Sequence, residues 1–389
     1  MSGYAIRLRP GRSRLAYPTL LAIGAVDAAG YGVIAPVLPE LESATGAGAA
    51  ELGLLVATFS LAMLLGFPVA GLLVGRGRAR LALVLSLVVV ALGTLGMIAG
   101  ESLASFFAAR AVMGFGAGGV WLGVVFSTLE RWPGEEYVCM SRIFSAYSVG
   151  GLLGLVLGAL GGVRAPFVAY LCLVVLAIPA ALLLSEPARR PRLGTDAGSG
   201  RRALRQPGFV LAASVILFTW VGFGVLEGVL PLLFDRQLGQ AGIAAILVAT
   251  ALVVALSSAL AARFGPTRVA AVAVPLVVAG FALAGAVESV VLWAAALAAV
   301  GVGLGACNTG STGILLEGVG RSRIVVPLVV WSQVGIAGYL LGPALGGLVA
   351  DGVGYAAVFL VPLVFAGVVA VVALGVRRVG TQHPRVGAQ

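Results

Sequence analysis

The 389-residue chain has no lysine, one histidine, three cysteines and charged side chains at only 10% of its positions. Each shortage excludes a class of function. The lone histidine, His383, lies in the C-terminal tail, and Cys139, Cys172 and Cys307 are scattered, so no metal set, disulfide framework or catalytic cluster can be assembled from them. No metal, no cofactor and no catalytic residues are expected, and the chain is not read as an enzyme. A soluble domain is charged at about 25% of positions. A chain that is 60% hydrophobic cannot hide its apolar surface in a water-soluble fold. The formal net charge of +10 comes from 25 basic residues, all of them arginine. They are dispersed over many short loops instead of gathered on one face, so nucleic acid is not an expected partner.

Long apolar runs are what the chain has in abundance. A membrane-crossing helix needs about 20 apolar residues at a rise of ~1.5 Å each. Twelve such spans are predicted, at 16–39, 50–75, 79–99, 103–129, 142–163, 166–185, 208–234, 240–262, 267–287, 290–316, 324–350 and 354–376. On that topology 22 arginines precede span 1, follow span 12 or occupy even-to-odd loops. Arg164 and Arg236 fall on the other side, and Arg110 lies within span 4. This is the positive-inside pattern, and it predicts a multi-pass protein of the bacterial cytoplasmic membrane with both termini in the cytoplasm. The arginine-rich start is not read as a secretory signal, because the apolar run behind it is long, carries Pro36 and Pro39 and lacks a small-residue cleavage site.

The chain is also written twice. "GYGVIAPVLPEL" from Gly30 and "GFGVLEGVLPLL" from Gly222 agree at seven of twelve positions, 192 residues apart. "GFGAGGVWLGVVFSTLE" from Gly114 recurs as "GVGLGACNTGSTGILLE" from Gly301, and "LGALGG" ending at Gly162 recurs as "GPALGG" ending at Gly347. Six spans separate the copies, so both have the same membrane orientation. The polar stretch "SEPARRPRLGTDAGSGRRALRQP" between them reads as a linker. The expected organisation is an all-α membrane protein with twelve transmembrane helices in two parallel six-helix halves, 1–184 and 208–389, joined by a cytoplasmic linker at 185–207. Parallel repeats of this kind hold a substrate between them near the midplane.

Glycine is abundant, at 57 residues. Gly150, Gly154, Gly158 and Gly162 recur every four residues along span 5, and Gly338, Gly342 and Gly346 do so along span 11. Such stripes let backbones approach closely in lipid, either as static packing or as a surface on which rocking halves slide. "GFGAGG" at Gly114 matches a dinucleotide-binding fingerprint. It lacks the preceding strand and the exposed helix start that this chemistry needs, so nucleotide binding is rejected.

On these segments the chain resembles the major facilitator superfamily over essentially its full length. "DAAGYGVIAPVLPEL" is similar to the first-helix motif of the drug:proton antiporter branch, and Arg110-x-x-x-Gly114 to its fourth-helix motif. "GLLVGRGRAR" resembles the loop motif G-x-L-x-D-R-x-G-R-R, with Gly75 at the acid and Arg78 at the second glycine. "LGALGG" resembles the fifth-helix antiporter motif, with Gly158 at its proline; that proline is kept only in span 11, as Pro343. The resemblance implies the major facilitator fold and a central cavity lined by spans 1, 4, 7 and 10. It makes Arg76 and its repeat mate Arg263, with Gly158, Gly162 and Pro343, candidates for gating. Pro36, Pro39 and Pro231 join them, in the bendable outer segments of spans 1 and 7.

Three charged side chains fall well inside spans: Asp27, Arg110 and Glu227. Each costs about 2.5–3.5 kcal/mol at a helix centre on insertion scales, so such groups face a cavity or a partner. They are the candidates for proton coupling, with Arg110 pairing one acid while substrate and proton compete for a carboxylate. A fixed structural pair of Asp27 with Arg110 is the other reading. Helical spacing puts Tyr31 on the face of Asp27, and Trp220 and Phe223 on the face of Glu227. With Trp121, its repeat mate Asn308, and Gln333, these are the substrate-binding candidates; Trp132 and Trp293 read as interfacial belt residues.

The expected function is proton-coupled efflux of a hydrophobic or amphipathic small molecule by a monomer in the lipid bilayer. A carrier of a metabolite such as a sugar or amine is the alternative, and a non-transporting membrane receptor a third reading. The topology is directly testable. A C-terminal fusion to a reporter that works only in the cytoplasm is expected to be active, and one that works only outside the membrane to be silent; the opposite pair of results would invert the assignment.

Overall fold

The computed structural model describes residues 15–185, 201–287, 289–319 and 324–382. His383, most of the predicted linker and the side chains of Pro231 and Arg236 lie outside the described residues. There is no strand among the described residues. Twelve long helices follow one another: α1 (Ala16–Gly32), α2 (Ala49–Gly75), α3 (Ala79–Ala99), α4 (Leu103–Arg131), α5 (Glu136–Gly158), α6 (Arg164–Leu182), α7 (Pro207–Gly228), α8 (Leu230–Ala261), α9 (Pro266–Ala286), α10 (Val290–Val319), α11 (Val325–Gly352) and α12 (Leu360–Gln382). Among the described residues, eleven candidate spans are long and apolar enough to cross a membrane. α8 completes the set with 32 residues. Large side chains such as Leu183, Val291 and Val353 are more than three-quarters exposed. Lipid is the solvent in which that surface is stable.

Helix boundaries follow from local chemistry. α4 starts where the Ser102 hydroxyl accepts a hydrogen bond from the Ser105 backbone N–H at 3.3 Å, and α7 and α9 start with proline, whose missing N–H costs nothing in a first turn. α1 stops at Gly32, because Pro36 has no N–H to offer the Gly32 carbonyl. The chain continues through a 3-10 turn, Ala35–Val37, into a short helix, Leu38–Thr45, closed by Gly46 at φ +70°. Predicted boundaries are corrected in two places. α7 ends at Gly228, not at 234, and α8 begins at Leu230, not at 240, so Pro231 belongs to the first turn of α8 and not to the end of span 7. α5 begins at Glu136, not at 142, because its first turns are polar and still helical. It ends at Gly158, so Gly162 lies in a turn with Gly161 at positive φ and is not part of the helical stripe.

The two halves repeat one packing scheme, in which α1 lies on α5 and α7 on α11. A methyl group added at Gly150 or Gly154 would meet the carbonyl oxygens of Ala25 or Ala29 at 2.0 and 2.3 Å. At Gly338 and Gly342 it would meet those of Leu217 and Val221 at 2.5 and 2.6 Å. The glycines of "GFGAGG" serve the same end: Gly114 abuts the Phe59 carbonyl of α2, and Gly116 the Ser86 carbonyl of α3. Between the halves, α2 packs on α11, and α5 on α8. The Ser141 and Ser145 hydroxyls of α5 donate to the Ser258 and Ala255 carbonyls of α8, at 3.0 and 3.2 Å. These ties lie toward the side where α1 begins and α12 ends, termed here the terminal side. Neighbouring glycines of α5 should respond differently to substitution. Gly154→Ala is expected to lower stability by about 1–3 kcal/mol. Gly151→Ala should be near neutral, since no atom lies within 4 Å of the added carbon. Thermal unfolding of the two purified variants would distinguish them.

Candidate functional site

The main cavity lies between the halves, with about 90 Å³ of free space. Tyr31 of α1, Tyr147 of α5, Trp220, Phe223 and Glu227 of α7, Asn308 of α10 and Tyr339 of α11 line it, and α8 closes it with Leu247, Thr250 and Val254. That space holds a few waters and is well below the ~300 Å³ and more of a pocket for a drug-sized guest. The halves are drawn together in this state. A smaller cavity of about 20 Å³ lies beneath, between Trp121, Trp331 and Ser332.

Each half places an acid of its first helix against a tyrosine of its fifth. Tyr147 donates its hydroxyl to Asp27 Oδ2 at 2.8 Å, and Tyr339 donates to Glu227 Oε2. The glycine contacts described above bring these helices close enough for a phenol to reach. The two acids then differ. Glu227 is part of the cavity wall and is half-buried. Asp27 is 2% exposed, lines neither cavity, and its Oδ1 has no hydrogen-bond partner.

Arg110 is fully buried inside the first half. Its Nη1 donates to the Gly30 carbonyl at 3.1 Å, and its guanidinium carbon lies 4.4 Å from the centre of the Phe59 ring. Nε and Nη2 have no partner. The expected pairing with an acid is absent: among the described residues Arg110 forms no ion pair with Asp27 or Glu227. It clips α1 near the point where that helix breaks, and it does not line the cavity.

Aromatic rings connect the halves. Tyr31 lies 5.5 Å from Tyr339 and 6.4 Å from Trp220, and Trp220 lies 5.8 Å from Phe223. The Tyr31 hydroxyl contacts Met63 Sδ at 2.7 Å. Trp121 is edge-on to Tyr147 at 4.9 Å and donates its indole N–H across the halves to the Ser332 hydroxyl at 3.0 Å. Trp331 donates to the Ser311 hydroxyl at 2.8 Å and faces Phe144 at 6.2 Å. These indoles form the floor of the cavity toward the terminal side.

Of the residues singled out from sequence, Tyr31, Trp220, Phe223, Glu227 and Asn308 gather at the main cavity, and Trp121 sits at its floor. Gln333 is half-buried and lines neither cavity; its neighbour Ser332 does. Arg76 and Arg263 are exposed at the ends of α2 and α8 on the terminal side, away from the cavity. Pro36 is buried against Gly158 at the break after α1, Pro39 is half-buried in the short helix beyond it, and Pro343 packs on Gly224 and Gly228 of α7. Trp132 and Trp293 are 3% and 5% exposed, so they are not belt residues. Trp132 packs on Tyr17, and the Trp293 indole donates to the Ala284 carbonyl. The walls are not those of helices 1, 4, 7 and 10 alone: α5, α8 and α11 contribute as much, and Tyr147 and Tyr339 were missed. Their only sequence signal was a polar ring in a span beside a glycine stripe.

A profile of the Major Facilitator Superfamily matches residues 20–326. The chain belongs to the major facilitator superfamily. Members of this superfamily are membrane transporters of small molecules. It is similar to multidrug resistance protein 1 of Bacillus subtilis (strain 168), with 24% identity over 217 residues. That match covers 54% of this chain and 56% of the relative, so the chain spans about half the length of the curated relative it matches. In fold it is similar to the crystal structure of the human organic anion transporter MFSD10 (TETRAN), with a TM-score of 0.73 at 17% identity. That similarity covers 93% of this chain and 99% of the human one.

Within this superfamily fold the buried guanidinium makes a sharp stability prediction. Two guanidinium nitrogens, Nε and Nη2, are left without a partner in an apolar interior, and an unsatisfied buried donor costs about 1–3 kcal/mol. Arg110→Met, similar in length and apolar, is therefore expected to melt at or above the wild-type temperature. A large drop would instead mean that the Gly30 hydrogen bond and the Phe59 contact outweigh the desolvation.

Proposed function

We propose that the protein exports a hydrophobic or amphipathic small molecule, cationic in its best substrates, in exchange for protons by alternating access between its two halves. The observation that carries this reading is Glu227: a carboxyl group in the wall of a cavity otherwise faced by Tyr31, Trp220, Phe223 and Tyr339. An intramembrane acid is costly and is kept where it handles charge. Aromatic faces around it attract an organic cation and accept an apolar body without demanding one shape. A carboxylate that holds a cation cannot hold a proton as well, so loading one releases the other. The named function of the Bacillus relative, multidrug resistance, supports the same reading.

The working cycle follows from the packing. With the terminal side sealed by the indole floor and the Ser141 and Ser145 bonds, the cavity serves the opposite side. Parting those contacts while α1·α5 and α7·α11 stay intact would open it to the terminal side. We place that side in the cytoplasm of a bacterial cell, as the arginine distribution argues, with the monomer as the working unit.

The test is uptake into proteoliposomes with an imposed pH gradient, over a panel of lipophilic cations, neutral drugs and sugars. Wild type should move at least one lipophilic cation against its gradient. Glu227→Gln and Asp27→Asn should each cut that movement by about tenfold or more, as expected when a charged partner is lost. Movement unaffected by both substitutions would overturn the proton-exchange reading.

A further inference from the structure

Two acids on one duplicated scaffold would do the same work if they stood in equivalent places. They do not. At the offset of 192 residues between the repeats, Glu227 aligns with Ala35, eight residues beyond Asp27. Eight residues are ~12 Å along a helix. The tyrosines are displaced as well, since the offset of 185 between α5 and α11 puts Tyr147 opposite Ser332 and Tyr339 opposite Gly154. Each half thus built its acid and tyrosine pair independently, at its own level of the pathway.

The pairs also face differently. Glu227 and Tyr339 both line the cavity. In the first half only the tyrosine does: Tyr147 lines both cavities, while Asp27 lines neither. The ring of Tyr147 stands edge-on to Trp121 at 4.9 Å, and its hydroxyl reaches behind that wall to Asp27 at 2.8 Å. Tyr31 on its own helix and Tyr170 of α6 are within electrostatic reach of Asp27, and the buried cation of this half, Arg110 of α4, bonds the Gly30 carbonyl.

We infer that the two acids have separate tasks: Glu227 meets the transported molecule, Asp27 exchanges protons alone, and Tyr147 is the positioning residue that separates them. The inference rests on the proton-exchange reading above and divides its labour. Tyr147 excludes an organic cation from Asp27 by its ring, yet passes protons by its hydroxyl. The hydroxyl proton moves to Asp27 Oδ2 as the phenol oxygen takes another from a protonated cavity water, which is left as neutral water, so the tyrosine is unchanged and the net event is one proton delivered to the carboxylate. The reverse sequence releases it.

The experiment uses the purified full chain and diazomethane, a reagent far smaller than an organic cation that esterifies protonated carboxyl groups, read at each acid by peptide mass spectrometry. Tetraphenylphosphonium is the probe cation. In wild type it should protect Glu227 by about fivefold at a few times its dissociation constant and leave Asp27 unprotected. In Tyr147→Ala it should protect Asp27 too. In the milder Tyr147→Phe variant, which keeps the ring, Asp27 should stay unprotected, but the pH midpoint of its labelling should move by about half a unit or more while that of Glu227 does not. Equal protection of both acids in wild type, protection of neither, or an unmoved midpoint in Tyr147→Phe overturns the inference. Because the readout is labelling, absence of gradient-driven transport together with an intact asymmetry would overturn the exchange reading alone.

Discussion

In a bilayer the hydrophobic effect does not press helices together, since lipid tails are as apolar as leucine. Backbone contact through small residues takes over that task. Here it is concentrated in α1 against α5 and α7 against α11, where Gly150, Gly154, Gly338 and Gly342 sit directly on carbonyl groups of the partner helix. A side chain at any of these positions would push the helices apart by more than a hydrogen bond tolerates. The consequence reaches the chemistry: Tyr147 can touch Asp27, and Tyr339 can touch Glu227, only because those backbones are that close. The scaffold contact and the candidate site are one construction.

The same contact separates what is rigid from what moves. Within each half the helices are locked by glycine packing that leaves no room for sliding. Across the halves the ties described above are softer: two serine hydroxyls on α8 carbonyls, one indole on Ser332 and the ring contacts of Tyr31 with Trp220 and Tyr339. Such bonds are worth about 0.5–1.5 kcal/mol each and exchange readily for water. Motion of one half against the other is therefore the cheap deformation. The glycine stripe of α5 lies within its half, against α1, and the break after Gly32 has Pro36 wedged against Gly158.

Arg110 illustrates how a buried charge can be placed without an ionic partner. A guanidinium that lies over Phe59 and bonds a helix carbonyl has exchanged water for an aromatic face and a backbone dipole. Sequence reasoning set Arg110 beside the acids because all three are costly in lipid. Depth along a helix is legible from residue number, but direction around the axis relative to neighbouring helices is not. That is also why Tyr147 and Tyr339 were overlooked, why Gln333 was chosen where Ser332 faces the cavity, and why Trp132 and Trp293 were taken for belt residues.

The amino-acid sequence by itself determined the solvent, the number of helices, their duplication into parallel halves and which side chains are too costly to be idle. All of these depend on composition and on one-dimensional spacing. Hydrophobic length and repeat register survive any packing arrangement, so Asp27, Glu227, Tyr31 and Phe223 could be named before any coordinates. The tertiary structure alone decided who meets whom: that Glu227 looks into the cavity, that Asp27 stands behind Tyr147, and that Arg110 bonds a backbone carbonyl and pairs with neither acid. Those facts depend on the rotation and spacing of helices far apart in the chain, which close backbone contacts set and no periodicity within one helix encodes.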